Sequence, residues 1–446
     1  MKIKNEQIEV EKEKYSVVEL LEMYNDYSCQ CDESGLYDQF LVPKRAEGLY
    51  VWFKDHVKPY VDLGMGFSAL NFGHQYPSIR KVVKEAIQII DHVHSFNSES
   101  KLLLSKALAE KTPGSPSKKV YFPVGGSMAV ETAIKIARAY TGKVKIACFT
   151  GAFHGLSYGA MMLTDDNIIN KPLYAPYPGE AVRLPYADCY HCDNREKCDF
   201  QCLKVAEQHL SQDKDIAALI IEPIQGHAGF IIPPKEFLFG LHKLCQHLGI
   251  LFIDDEIQVG MGRTGRFLAI EYYDIEPDVV LLSKSLAGGY YPLSAVIARR
   301  AIWDSISPVG SGIGSTFVNN PLATKVALEV LRILEEDGLM ENATKAGDYF
   351  TKRLKEFEQF ENIDNVTGLG LIQSFAVVKD KATREPAPEI AKKIQSEALK
   401  QCLIICCSGV NKDRIKFISP LWVKKKDIDM ILEKLEHAVK TAVAEN

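Results

Sequence analysis

Four short apolar runs, at residues 146–149, 217–221, 250–253 and 279–282, recur along the middle of the chain, with stretches of helical period between several of them. This alternation constrains the fold more than any other feature. Apolar runs of four or five residues suit strands, and strands separated by helices predict an α/β domain with a largely parallel sheet. Residues 101–110, 128–140 and 236–247 read as helices, and 119–122 as a further short strand. In open α/β sheets, ligands collect beyond the carboxyl ends of the strands.

On either side of this region the pattern changes. Residues 17–24 are helical and 50–63 alternate apolar with polar, so residues 1–70 are read as an N-terminal arm and part of a small domain. The large domain is placed at 71–320 and a C-terminal small domain at 321–446. The latter holds helices at 321–336, 340–356, 388–401 and 426–444, with strands at 371–378 and 415–417. The net charge of −5 gives no electrostatic reason to expect nucleic acid or an anionic membrane as partner. The opening residues lack an apolar signal core, and no stretch is long and apolar enough to span a bilayer, so a cytoplasmic protein is expected. Eleven cysteines, an odd number, predict reduced thiols over a disulfide framework.

Three segments carry chemistry. In Val280-Leu-Leu-Ser-Lys284-Ser-Leu-Ala-Gly-Gly289, a lysine follows an apolar strand and precedes a small-residue turn that a ligand can approach. In a dry pocket such an amine loses its proton and forms an imine with an aldehyde. Taken alone it is more often a solvated strand-end lysine. The strand at 250–253 runs into Asp254-Asp255-Glu256, and an acid there is able to hold a pyridine nitrogen protonated. Asp254 and Asp255 compete for that role, because adjacent strand residues face opposite ways. Val124-Gly-Gly-Ser-Met-Ala-Val-Glu131 sets a glycine turn before a helix, whose N-terminus offers N–H groups and a positive dipole to a phosphate.

Together these segments resemble the class III aminotransferases, of the fold type I pyridoxal-phosphate (PLP) enzymes, over roughly residues 40–440. Asp255-Glu-Ile-Gln-Val-Gly-Met-Gly-Arg-Thr-Gly265 looks like the family's DE-[VI]-Q-x-G-x-GRTG signature. Phe153-His-Gly155, Glu222-Pro-Ile-Gln-Gly226 and Ser315-Thr-Phe-Val-Asn-Asn-Pro321 are further family-like stretches. The resemblance implies an α/β fold with a large PLP-binding domain and a smaller α+β domain built from both termini. It implies that Lys284 holds PLP as a Schiff base and moves protons, and that Asp255 pairs with the pyridine nitrogen. Gln258 would reach the ring's 3-hydroxyl, Phe153 would stack on the ring with His154 beside it, and Gly125, Gly126 and Ser127 would cradle the phosphate. Glu222 would support the site, and Thr316 would contact the phosphate of a neighbouring subunit, which implies at least a homodimer. The implied reaction moves an amino group between an amino acid or ω-amine and a 2-oxo acid.

The chain departs from the 4-aminobutyrate subgroup where substrates are chosen. Leu156 stands where an arginine commonly follows the aromatic-His-Gly element, and Met128 replaces an acid that many relatives carry. His227 replaces the acid after Glu-Pro-x-Gln-Gly, and Lys416 replaces the C-terminal arginine that pairs with it. Lysine offers a mobile point charge in place of arginine's two-point clamp. Arg414, two residues away, shares the face of Lys416 and is a second candidate. His227 also opens an alternative, an amino-acid racemase or epimerase of the same family, since a histidine near the substrate is able to return a proton to Cα. As a bland alternative it packs in the pocket wall. Cys189, Cys192, Cys198 and Cys202 form a C-x2-C-rich cluster that suits a structural metal or free thiols; no catalytic metal is expected.

Overall fold

The structure, a computed structural model, describes residues 15–29, 39–93, 96–115, 117–166, 171–192, 197–306 and 312–444. A seven-stranded sheet forms its centre: β1 (Lys118–Tyr121), β2 (Lys145–Phe149), β3 (Ala181–Leu184), β4 (Ile216–Ile221), β5 (Leu251–Asp255), β6 (Val279–Leu282) and β7 (Ala295–Arg299). Their spatial order is β1-β7-β6-β5-β4-β2-β3. The five strands from β3 to β6 in that order are parallel, whereas β7 runs antiparallel to both β6 and β1. All four expected apolar runs are strands of this sheet, and every residue of β4, β5 and β6 is buried. Such complete burial is what a parallel sheet covered on both faces requires.

Side chains along β5 alternate between two packed layers. Leu251 and Ile253 meet Ala129, Val130, Ala133 and Ala137 of the helix Gly126–Thr141. Phe252 points the other way, into the layer that holds Phe237, Leu238 and Leu241 of the helix Lys235–Leu248. Each buried Leu, Ile or Phe contributes about 1.5–3 kcal/mol, so a one-residue slip of β5 would exchange two complete layers.

Two strands of this sheet were not legible beforehand. In β3, Arg183 interrupts the apolar pattern and its guanidinium donates to the carbonyls of Phe149, Met162 and Leu163. In β7, the four apolar residues between Ser294 and Arg299 begin and end on alanine, a poor strand former, which weakened a run as long as the others.

The smaller sheets draw on both ends of the chain, as the resemblance implied. Pro43–Glu47, Tyr50–Phe53 and Tyr60–Asp62 are completed by Leu403–Ile404, with Leu403 pairing parallel to Val61. Ile363–Leu369, Ile372–Val377, Arg414–Ile418 and Cys406–Ser408 form an antiparallel sheet. Arg263, buried among carbonyls, ties the segments together by donating to Leu371 O at 3.3 Å, to Ser419 O and to Asn71 Oδ1. Burial alone pushes its guanidinium down to about 9.

The helix Leu339–Leu354 packs with Gly347 against the turn at Gly370, so closely that a Cβ on Gly347 would lie 1.8 Å from the Gly370 carbonyl oxygen. Helix propensity favours alanine over glycine by about 1 kcal/mol, but overpacking against backbone costs roughly 1–3 kcal/mol or more. Gly347→Ala is expected to lower the thermal unfolding midpoint by several degrees. An unchanged or raised midpoint would show that the turn yields.

Candidate active site

At the end of β5 the two adjacent acids have different surroundings. Asp255 continues the face of Leu251 and Ile253, the face covered by the helix Gly126–Thr141, and is registered against Leu281 of β6. One of its carboxylate oxygens lies 2.7 Å from His154 Nδ1, and the other accepts the Ile257 N–H at 3.1 Å. Asp254 faces the opposite layer, with no exposure and no hydrogen-bond partner on either oxygen. Burial, with Glu256 and Asp255 beside it, pushes Asp254 well above the carboxylate range. The two adjacent acids thus face opposite layers of the sheet.

Three residues past Leu281, Lys284 opens a short 3-10 turn, Lys284–Ala287, with φ of 45° in the left-handed region. That conformation costs a non-glycine residue roughly 1–3 kcal/mol. The buried Ser283 beside it anchors the turn by donating to Leu293 O at 3.1 Å.

The glycine turn expected to cradle a phosphate lies at the N-terminus of the 16-residue helix Gly126–Thr141. Gly125 has φ of 81°, and a Cβ built on it would meet no atom within 4 Å, so an open cradle lies before the helix. Ser294, which sequence reading missed, holds the turn from behind by donating to Pro123 O and Gly125 O at 2.9 and 2.8 Å. Ser127 Oγ accepts the Leu156 N–H at 3.2 Å. Gly155 must be glycine, since a Cβ there would lie 2.3 Å from Ser127 Oγ. This contact joins the phosphate turn to the Phe153-His154-Gly155 loop.

Glu222 organises two loops. Its oxygens accept the Phe153 and Gly226 N–H groups, each at 2.9 Å, and burial raises its carboxyl above the usual range. Gly226 packs on Gln258, whose Nε2 donates to Phe67 O at 3.3 Å. His227 stacks on Phe153 with ring centroids 4.8 Å apart and planes at 25°, and its Nε2 lies 2.9 Å from an Asp166 oxygen. Burial pulls the His227 pKa down from its ordinary value, against the opposing effect of Asp166.

Lys416 is buried, donates to Gly226 O at 2.9 Å and lies 5.1 Å from the Phe230 ring centroid. It therefore braces the loop that carries His227. Arg414 faces the same loop, as strand alternation predicted, but donates to Asn365 Oδ1 and Ser374 Oγ, both at 3.0 Å. Leu156 is 52% exposed, so the arginine position of the subgroup is an open apolar surface. Thr316 is exposed beside Phe317.

Glu131, in the second turn of the helix Gly126–Thr141, has a structural role that its sequence context does not reveal. Its Oε1 accepts Ser157 Oγ–H and the Gly159 N–H at 2.6 and 2.7 Å, capping the helix Tyr158–Leu163 from a distance. Asp166 also went unrecognised, because one acid among several loop acids carries no periodic signal. The four clustered cysteines are free thiols, and among the described residues no group of three or more His, Cys, Asp or Glu is arranged to hold a metal. The cluster begins where Tyr190 docks on the small sheet, donating to Asp364 Oδ2 at 3.0 Å while Arg384 donates to its carbonyl at 2.6 Å.

Glu256, also buried behind the site, accepts the Ile270 N–H at 2.7 Å and is pushed up to about 8, mainly by burial. A folded carboxyl with a raised pKa binds more protons than its unfolded form, so stability falls as pH rises from the ordinary carboxylate range towards 8. Glu256→Gln keeps an acceptor for Ile270 and does not ionise. Urea midpoints measured between pH 5 and 8 are expected to fall less steeply in this variant; parallel profiles would count against an un-ionised Glu256.

Residues 34–439 match the family model described as "Aminotransferase class-III". The chain is 34% identical over 409 residues to a leucine/methionine racemase of Thermococcus litoralis, covering 90% of each. It is 34% identical over 392 residues to a 5-aminovalerate aminotransferase of Pseudomonas aeruginosa, covering 87% of this chain and 91% of the relative. Among solved structures, an (S)-enantioselective omega-transaminase from Thermomicrobium roseum superposes with a TM-score of 0.89 at 28% identity, covering 97% of this chain and 100% of that one. The family is PLP-dependent, and the residues fit that cofactor: an open glycine cradle at a helix N-terminus, a buried carboxylate on the same face and a lysine in the turn after the next strand. The chain belongs to the class III aminotransferases, PLP-dependent enzymes of fold type I.

Proposed function

We propose that the amino-group transfer of this enzyme is performed by Lys284, working on PLP held by Asp255, Gln258, Phe153 and the Gly125-Gly126-Ser127 turn. The observation that carries this reading is the placement of Asp255 and the phosphate helix on one face, with Lys284 leaving the adjacent strand. Bound PLP supplies a conjugated ring that stabilises negative charge at the substrate carbon. Lys284 would hold PLP through its amine, and that same amine would carry the proton taken from the substrate carbon. Asp255, hydrogen-bonded by His154, offers a buried anion to the pyridine N–H. Glu222 acts through backbone, holding the Phe153 and His227 loops in register.

The working enzyme is proposed to be a cytoplasmic homodimer with large and small domains at 71–320 and 321–446, the latter joined by residues 1–70. Thr316 would serve the partner's phosphate. Exposed Leu102, Leu103 and Phe317 support a subunit contact, since exposed large apolar residues near one site mark interaction surfaces. The amino acceptor is a 2-oxo acid.

Purified enzyme given PLP is expected to show a visible absorbance band that Lys284→Ala lacks, and to consume an amino acid only when a 2-oxo acid is present for repeated turnover. A persisting Lys284-type band in Lys284→Ala would refute the assignment. Sedimentation should give twice the chain mass. Mixing Lys284→Ala with Thr316→Ala subunits should change PLP affinity in only one of the two sites of each mixed dimer; two equal sites would argue against a shared phosphate.

A further inference from the structure

We propose that Asp62 is a positioning residue for the cofactor site: its carboxylate holds Met65–Ser68 in a left-handed turn, and the Phe67 carbonyl of that turn aims the Gln258 amide nitrogen at the cofactor ring's 3-oxygen. This rests on the proposed place of Gln258 beside that oxygen.

The turn runs against the preference of its own residues. Met65, Gly66, Phe67 and Ser68 all have positive φ, of 41°, 56°, 53° and 75°, and only the second is glycine. Other L-residues avoid this region because Cβ crowds the backbone, so a run of them persists only where the surroundings impose it. Inside the run, Phe67 N–H donates to Gly64 O at 2.8 Å and Leu70 N–H to Met65 O at 3.1 Å. The N–H groups of Gly64 and Met65 at its start are both accepted by Asp62 Oδ1, at 2.8 and 3.1 Å. Asp62 thus supplies the acceptor on which the turn begins.

Asp62 is itself fixed from several directions. Its other carboxylate oxygen lies 2.9 Å from His74 Nε2, its own N–H donates to Leu49 O at 2.9 Å, and it is registered against Ile404. His74 is held in turn by a pair of 2.8 Å backbone hydrogen bonds with Gly48. The aspartate is only 9% exposed, and a carboxylate so enclosed needs such donors.

The far end of the turn reaches the site at two places. Phe67 O accepts Gln258 Nε2 at 3.3 Å. A carbonyl only accepts, so it selects the nitrogen end of the amide and leaves Nε2 a second N–H to donate. On the opposite side the amide has no room to swing away, because a Cβ on Gly226 would already lie 1.9 Å from Gln258 Oε1. The residues after the turn close on the segment that follows Lys284. A Cβ on Gly289 would lie 2.5 Å from Leu70 Cδ2 and 3.2 Å from Ala69 O. Relaxation of the turn would therefore free the Gln258 amide and loosen the Lys284 turn together.

An N–H directed at the ring oxygen shares the negative charge that otherwise holds the proton between this oxygen and the Lys284 nitrogen. The donor therefore lowers the pH at which that proton leaves, and its loss raises that pH.

Holoenzyme is titrated across the neutral and alkaline range, and the pH midpoint of the visible absorbance change is recorded. Gln258→Ala is expected to raise the midpoint by roughly one pH unit, the scale of one hydrogen bond to a charged atom. Asp62→Ala should raise it by at least half as much. The double variant Asp62→Ala/Gln258→Ala should go no further than Gln258→Ala alone, since both act through one amide. Asp62→Asn, which keeps an oxygen for the Gly64 and Met65 N–H groups, should stay near the wild-type midpoint. Gly66→Val, at the exposed residue of the turn, opposes positive φ while leaving Asp62 in place and should raise the midpoint too. It keeps the inference testable if Asp62→Ala does not fold. A midpoint moved by Gln258→Ala but by neither turn variant would overturn the role of Asp62, as would additive shifts in the double variant. A midpoint indifferent to Gln258→Ala would overturn the place of Gln258 and this inference with it.

Discussion

A carboxylate at the end of a strand buried on both faces is the constraint around which this active site is arranged. Asp255 is nearly inaccessible, and its charge is met by the His154 imidazole and the Ile257 N–H. Leaving such a group unpaired would cost several kcal/mol. The loops that bring those partners must therefore be fixed as firmly as the sheet. Gly155 against Ser127 fixes one, Glu222 bridging Phe153 and Gly226 fixes another, and the buried Arg263 ties the following turn to both ends of the chain.

Much of this was legible because its physical causes are local or periodic. The four apolar runs are strands since nothing polar interrupts them, and the glycine turn opens a helix because only glycine adopts φ of 81° cheaply there. The choice between Asp254 and Asp255 needed the register of β5, which sequence supplied only through resemblance. Less legible were features made by distant contacts. Glu131 caps a helix that begins 27 residues later, Ser294 supports a turn about 170 residues before it, and Asp166 reaches His227 across two loops. None of the three has a composition cue. β3 was hidden by Arg183, whose charge is absorbed by carbonyls that no local pattern announces.

The substitutions at the substrate end also form a connected set. Where the subgroup pairs a glutamate with an arginine, this chain places two nitrogen bases, and two like charges at that spacing would repel. Burial lowers the pKa of both His227 and Lys416, and the Lys416 amine is engaged by the Gly226 carbonyl. The acid has been relocated to Asp166 on another loop. With Leu156 exposed and Arg414 occupied by Asn365 and Ser374, neither position supplies an arginine clamp for a distal carboxylate among the described residues.

The sheet that joins Tyr60–Asp62 to Leu403–Ile404 bears on how the chain is made as well as on its final form. Its parallel partners lie about 340 residues apart, which at ~5–20 residues per second separates their synthesis by roughly 20–70 s. Throughout that interval the edge of Tyr60–Asp62 has open backbone donors and acceptors, the kind of surface on which nascent chains pair wrongly. Pro43 at the start of the first strand and the charged Lys44, Arg45 and Glu47 beside it make the opposite edge a poor template. The vulnerable edge is the one reserved for Leu403–Ile404, so this part of the molecule becomes safe from aggregation only once that distant strand has been synthesised.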